Sequence, residues 1–352
     1  MTELTSRELV WRTLRFESTP RVPRQLWLLP WAEQHCRAEL EAIRQAFPDD
    51  ITAAEVMYPP LPCMRGDPYA VGTSVDEWGC EFVSIQAGAI GEVKRPLVES
   101  YASDLDKVCP PDAWLAVSLD EANRACARSD RFMLSGVCLR LFERMQFLRG
   151  TENLYVDLIE QPAGLFTLRD RVHEWNLAMI DRWAASDVDG IMWMDDWGSQ
   201  QSLLMSPDLW RSLFKPCYRE YVDRIHAGGK ACFVHSDGYI DAVYEDLIEI
   251  GVDAINSQLF CMDIELIGRR FGGRITFWGE IDRQQLLPYG STDDIRRAVR
   301  RVADALYDGH GGVIAQCESG VGARPENVRA VFETWDRIGA AKAGAGSTQG
   351  DV

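Results

Sequence analysis

Residues 190–256 read GIMWMDDWGSQQSLLMSPDLWRSLFKPCYREYVDRIHAGGKACFVHSDGYIDAVYEDLIEIGVDAIN. Three short apolar runs stand out: Gly190–Met194, Ala231–His235 and Asp253–Asn256. Each is short enough for a strand and bounded by turn residues. Between them lie helical patterns. Ser206-Pro207-Asp208 opens a helix that runs towards Ala227, where Gly228-Gly229 stops it; Asp241–Ile250 ends at Gly251. Strand, helix, strand in this order predicts parallel pairing through right-handed crossovers.

The same rhythm continues outward in both directions. Gln25–Leu29, Ala53–Met57, Phe132–Val137, Ile275–Trp278 and Gly312–Gln316 bring the strand runs to eight. Thr5–Phe16, Thr292–Tyr307 and Pro325–Ile338 carry helical spacing and caps. Eight strand–helix units predict an α/β protein built as a closed (β/α)8 TIM barrel, one domain over residues 1–340. Glu81–Ile85 and Gly91–Lys94 alternate across an Ala-Gly turn and break the repeat, so an inserted β-hairpin is expected near residues 80–98. The small, polar residues 341–352 read as a disordered tail.

Acidic residues outnumber basic ones, 54 to 37, for a net charge of −17. That argues against a nucleic-acid partner and against docking on anionic lipid. No apolar run approaches the roughly 18 residues of a membrane span, and the start of the chain lacks the pattern of a signal peptide. Ten cysteines without a CxxC pair fit buried thiols in a cytoplasmic protein.

In such a barrel, chemistry sits where strands end. His235 and Asp237 are two apart and share one side of an extended segment. Cys317, Asp195, Asp196, Glu280 and Asp282 follow other strands. Imidazole, carboxylate and thiolate make a three-ligand zinc set with a fourth position for substrate. Each residue also has a plainer reading. A single His at a strand end is commonly a hydrogen-bonded structural residue, Cys317 equally suits a buried thiol, and Asp195-Asp196 before a glycine equally suits a turn that caps the next segment. Trp27, Trp31, Trp193, Trp197 and Trp278 lie on or just after strands and could wall a pocket, with core packing as the alternative for each.

These residues also fall in a familiar pattern. Arg12–Glu17 with Arg21-Val22-Pro23, Asp76-Glu77-Trp78-Gly79, Asp195–Gly198 with Ser206-Pro207, and His235–Gly238 are its first half. Glu249–Asp253, Phe277–Asp282 and Pro325-Glu326-Asn327 complete it. Over nearly its whole length the chain resembles the uroporphyrinogen decarboxylase superfamily, which implies the same barrel. True decarboxylases of that superfamily carry Arg-Gln-Ala-Gly-Arg after the first strand, where this chain has Arg24-Gln25-Leu26-Trp27-Leu28. Their late Gly-His-Gly is replaced by Gln316-Cys317-Glu318-Ser319. The methyltransferase branch holds zinc through His-x-Cys on strand five and a distant Cys on strand eight. His235 and Cys317 match, with Asp237 at the middle position. The resemblance therefore implies a zinc-dependent methyltransferase. It would move methyl between a small substrate, such as a methoxylated aromatic, and a corrinoid (cobalamin) carried by a separate partner protein. His235, Asp237 and Cys317 are the expected metal ligands. Asp195, Asp196 and Glu280 are the expected catalytic carboxylates, and Trp27, Tyr58, Trp197 and Gln258 the expected substrate contacts. A decarboxylase acting on a porphyrinogen and a catalytically silent binding barrel are the alternatives.

Overall fold

A computed structural model describes residues 4–346. The described residues form eleven strands: β1 (Arg24–Leu28), β2 (Ile51–Ala54), β3 (Gly72–Val75), β4 (Glu81–Ser84), β5 (Glu92–Arg95), β6 (Phe132–Ser135), β7 (Gly190–Met194), β8 (Ala231–Ser236), β9 (Ala254–Ser257), β10 (Thr276–Trp278) and β11 (Val313–Ser319). Eight of them form one parallel sheet in the order β1-β11-β10-β9-β8-β7-β6-β2. The ends of that sheet meet. Asp50 N–H donates to the Arg24 carbonyl at 2.9 Å, and the Asp49 carboxylate accepts from Leu26 N–H at 2.6 Å. The barrel is therefore closed, as eight strand–helix units predict.

Alternation along the strands sorts side chains into two cores. Ile51, Phe132, Leu134, Ala231, Phe233, Ala254, Trp278 and Ile314 fill the interior. Their sequence neighbours Cys232, Val234, Ile255, Val313 and Ala315 face the surrounding helices. The first helix, Ser6–Leu14, adds Val10 and Leu14 to the interior. Its neighbours Asp130 and Gly312 precede strands β6 and β11, so this helix plugs the N-terminal mouth. Thr5 and Glu8 close its first turn as a capping box. The C-terminal mouth is left for chemistry.

Three expectations are corrected. The helix expected from Ser206 to Ala227 is two helices, Pro207–Leu213 and Lys215–Ala227, because Pro216 lacks the N–H that would continue a single ladder. The second strand is Ile51–Ala54 rather than Ala53–Met57. Buried Asp50 anchors its start, and Met57 lies past its end, 92% exposed. The final helix runs Pro325–Gly346, so residues 341–346 are helical and 347–352 lie outside the described residues. The insertion holds the expected hairpin, β4 with β5, and a third strand, β3, antiparallel to β4. Gly72-Thr73-Ser74-Val75 has no apolar alternation to announce it.

Candidate functional site

His235 is the penultimate residue of β8, on the interior face, and is 4% exposed. Its Nδ1 lies 2.6 Å from the Asn256 side-chain oxygen on neighbouring β9. The Asn256 amide donates to Gln316 Oε1 at 3.1 Å and to the Trp278 carbonyl, so its oxygen is left to accept. Nδ1 therefore carries the proton, and Nε2 offers a lone pair to the mouth. Two carboxylates face that lone pair. Asp237 Oδ1 is 3.5 Å from Nε2 and Asp196 Oδ1 is 3.7 Å away.

Asp196 follows β7 and Asp237 follows β8, and two glycines bring their loops together. A Cβ on Gly238 would stand 2.2 Å from the Gly198 carbonyl oxygen, and one on Gly198 would meet Tyr239 N at 2.5 Å. Gly238 also has φ +80°, which L side chains rarely adopt. The close approach lets Asp237 N–H donate to Asp196 Oδ1 at 2.8 Å.

Arg283 is the second charged centre. Its guanidinium binds Asp237 Oδ2, holds Glu318 Oε1 at 2.8 Å, and sits 3.7 Å from Glu280 Oε2. Asp237 is thus split: Oδ2 belongs to Arg283, while Oδ1 is buried without a hydrogen-bond partner. Glu280 is 3% exposed. Burial pushes its carboxyl well above the usual range, against the lowering effect of Arg283 and with Asp237 and Glu318 adding to the rise. Four carboxyl groups, Asp196, Asp237, Glu280 and Glu318, thus gather near His235 against the single guanidinium of Arg283.

This donor set fits a dication. Tetrahedral zinc with N and O ligands at about 2.0–2.2 Å needs donors about 3.3–3.6 Å apart. The donor atoms of Asp196, His235 and Asp237 all lie within 4.8 Å of one another, and the two imidazole–carboxylate separations are near that range. The imidazole is oriented and the Asp237 oxygen is unclaimed.

Cys317 does not join the group, contrary to the sequence expectation. It belongs to the outer core with Val313 and Ala315, whereas Ile314 lies inside. Gln316 and Glu318 reach Asn256 and Arg283 across the interior. Period-two alternation therefore turns the thiol towards the helices, and burial raises its pKa. Asp195 is corrected for the same reason. It is fully buried and accepts from the N–H groups of Leu141, Phe142 and Glu143 at 2.8–2.9 Å and from Tyr218 Oη at 2.8 Å. It anchors the start of the helix Phe142–Arg149, more than fifty residues earlier in the chain, and not the segment that follows it as the capping reading had it. Burial pushes its carboxyl up to about 6, against the lowering effect of those bonds. Trp197 is likewise fully buried, donating to Tyr218 Oη at 3.0 Å among Trp193 and Trp210. It is core and not pocket wall.

The other expected contacts divide between two places. Trp27 points inward, its ring 5.6 Å from His235. Gln258 is 5% exposed, and its oxygen accepts from Gln200 Nε2 at 2.9 Å and Gly238 N–H at 3.2 Å, supporting the loop that bears Asp237. Tyr58 lies elsewhere, stacked on Trp114 in a cavity of about 210 Å³ beyond the ends of β2 and β6. Arg283, Glu318 and Asn256 were missed by sequence reasoning. Strand parity alone would have chosen Glu318 over Cys317 as the inward residue of β11.

Among solved structures, a methyltransferase from Methanosarcina mazei is 17% identical, covering 96% of this chain and 99% of that one with a TM-score of 0.66. A family 10 endo-β-1,4-xylanase from Gloeophyllum trabeum is 9% identical over 92% of this chain and 98% of that one, with a TM-score of 0.44. No curated protein sequence matches the chain. The Uroporphyrinogen decarboxylase (URO-D) family profile matches residues 6–338. With the closed barrel and the strand-end motifs, this settles its kinship: the chain belongs to the uroporphyrinogen decarboxylase family.

Proposed function

We propose that the protein is a zinc-dependent methyltransferase that moves a methyl group between a small methoxylated aromatic and a corrinoid on a separate protein. The observation that carries this reading is the Asp196–His235–Asp237 donor cluster at the barrel mouth, with an oriented imidazole and an unclaimed carboxylate oxygen. Those three residues would hold the metal, in place of the set His235, Asp237 and Cys317. Bound zinc supplies Lewis acidity to the heteroatom that the methyl leaves. Asn256 fixes the tautomer of His235. Arg283 keeps Asp237 to one free oxygen and offsets the surrounding acids. Trp27 packs at a tilt beside the imidazole, ring centroids 5.6 Å apart. Glu280 Oε2, buried and without a hydrogen-bond partner, lies 3.7 Å from the Arg283 guanidinium beside this group.

The methyl would pass as a cation equivalent from the substrate oxygen to Co(I), which supplies both electrons; the phenolate left behind takes up a proton. Met57, Val71, Ile85 and Ile90 are more than half exposed on the segment between β2 and β6. The barrel resemblance to a methyltransferase supports the scaffold for such a reaction. No helix among the described residues is long and apolar enough to cross a membrane, and the net charge of −17 does not favour nucleic acid. Porphyrinogen decarboxylation is disfavoured by the absence of a second arginine in Arg24–Leu28. The test is optical: purified protein with zinc, cob(I)alamin and 3-methoxybenzoate. The expected result is zinc-dependent loss of the Co(I) spectrum, abolished in Asp237→Asn. No reaction with methoxyaromatics would reject the substrate class.

A further inference from the structure

Gln258 is the first residue after β9, and its buried side-chain oxygen collects donors from three loops. Gln200 Nε2, in the loop after β7, donates to it at 2.9 Å. Gly238 N–H, in the loop after β8, donates at 3.2 Å, and so does the Cys261 thiol. Cys261 Sγ also lies 3.1 Å from Gln200 Oε1, and Cys261 N–H donates to the Gln258 carbonyl at 3.0 Å. One turn thus presents both side chains to the neighbouring loops. Beside this knot, Asp237 N–H donates to Asp196 Oδ1 at 2.8 Å. Two successive amides of the loop that bears Asp237 are therefore tied, one to Asp196 and one to Gln258. Glycine takes either sign of φ with comparable ease. Gly238, which the close contact with Gly198 requires, leaves the Asp237–Gly238 peptide free to turn over, so the backbone alone does not select the observed φ of +80°.

We infer that Gln258 is a positioning residue for the metal: by accepting from Gly238 N–H it holds the Asp237–Gly238 peptide in one orientation and so sets the spacing of the Asp196 and Asp237 carboxylates about His235. This role presupposes the zinc reading of that cluster. It runs through the loop backbone, since Gln258 takes the Gly238 amide while Asp237 Oδ1 faces the imidazole. An amide oxygen suits the task. It satisfies a buried backbone donor that is costly to leave alone, and it adds no further charge beside Asp196, Asp237, Glu280 and Glu318. Groups that orient metal ligands typically govern affinity by about tenfold to a hundredfold, without touching the ion.

Gln258→Met keeps the length of the side chain and removes the acceptor; Gln258→Glu keeps the acceptor. Three readouts compare them with wild type: amide deuterium exchange over residues 236–240 in metal-free protein, zinc affinity by chelator competition, and the visible spectrum of the Co(II)-loaded form. Gln258→Met should speed exchange at Gly238, weaken zinc by about tenfold or more and change the Co(II) bands. Gln258→Glu should restore slow exchange and bind zinc at least as tightly as wild type. Should Gln258→Met fail to fold, Gln258→Asn, one methylene shorter, carries the same expectations. A role confined to packing would lower Tm yet leave zinc affinity and the Co(II) spectrum as in wild type, and that result overturns the inference. So does unchanged exchange at Gly238. Wild-type protein that takes up no zinc rejects the metal reading itself, whereas zinc bound equally by wild type and Gln258→Met rejects only the positioning role.

Discussion

Arg283 and a divalent cation compete for one carboxylate. The guanidinium holds Asp237 Oδ2 and Glu318, so a metal at His235 meets Asp237 as a single-oxygen ligand. Removing that positive charge should strengthen cation binding, because a unit charge a few ångströms away still matters at the effective dielectric of a partly buried site. Arg283→Gln is therefore expected to tighten zinc about tenfold in chelator competition. Looser binding would mean that Arg283 mainly builds the site. Parity decides the other assignments at this scale. Asp196 and Trp27 face the interior, whereas Asp195, Trp197 and Cys317 face the helices. One residue along a strand exchanges catalysis for packing.

At the scale of elements, the mouth depends on how loops and helix starts are held. Asp195 accepts three backbone N–H groups at the head of the helix Phe142–Arg149 as well as the Tyr218 hydroxyl. Asp195→Asn replaces one accepting oxygen by a donor and leaves buried groups unpaired. It should cost about 3 kcal/mol in denaturant unfolding while the folded protein still binds zinc. Full stability would contradict the anchoring role. The glycine pair makes the opposite test. Gly238→Ala touches no ligand, but its Cβ collides with the Gly198 carbonyl and would push Asp196 from Asp237. Zinc affinity is expected to fall at least tenfold, read by the same competition.

Across the whole molecule, the barrel was legible because strand length, helix caps and glycine stops repeat along the chain. Gly190–Met194 matches the observed strand, and Gly251 at φ +95° ends its helix as expected. The helix break at Pro216 was visible in sequence, but the strong Ser206-Pro207 start outweighed it. The site was legible only in part. Strand ends revealed His235, Asp237 and Asp196, whose backbone neighbours show which way they point. Arg283 comes from a loop seven residues past the start of β10, and nothing in sequence fixes where a long side chain there will reach. His226 gives global stability a pH signature outside the site. The hydrogen bond to Asp253, 2.8 Å from His226, raises that imidazole above its ordinary 6.5. A raised histidine stabilises fully below 6.5 and loses this contribution as pH rises through its folded value. The Tm difference between wild type and His226→Gln should therefore shrink from pH ~6 to pH ~9. The effect is worth no more than roughly 0.5 kcal/mol, since the pair is partly exposed.

The most direct measurement is X-ray absorption at the zinc edge on protein purified without chelator, in wild type and Cys317→Ala. Bound zinc is expected in both, with nitrogen and oxygen neighbours at about 2.0–2.2 Å, an imidazole signature and no sulfur. A sulfur shell at about 2.3 Å that vanishes in Cys317→Ala, or protein that takes up no zinc, would contradict it.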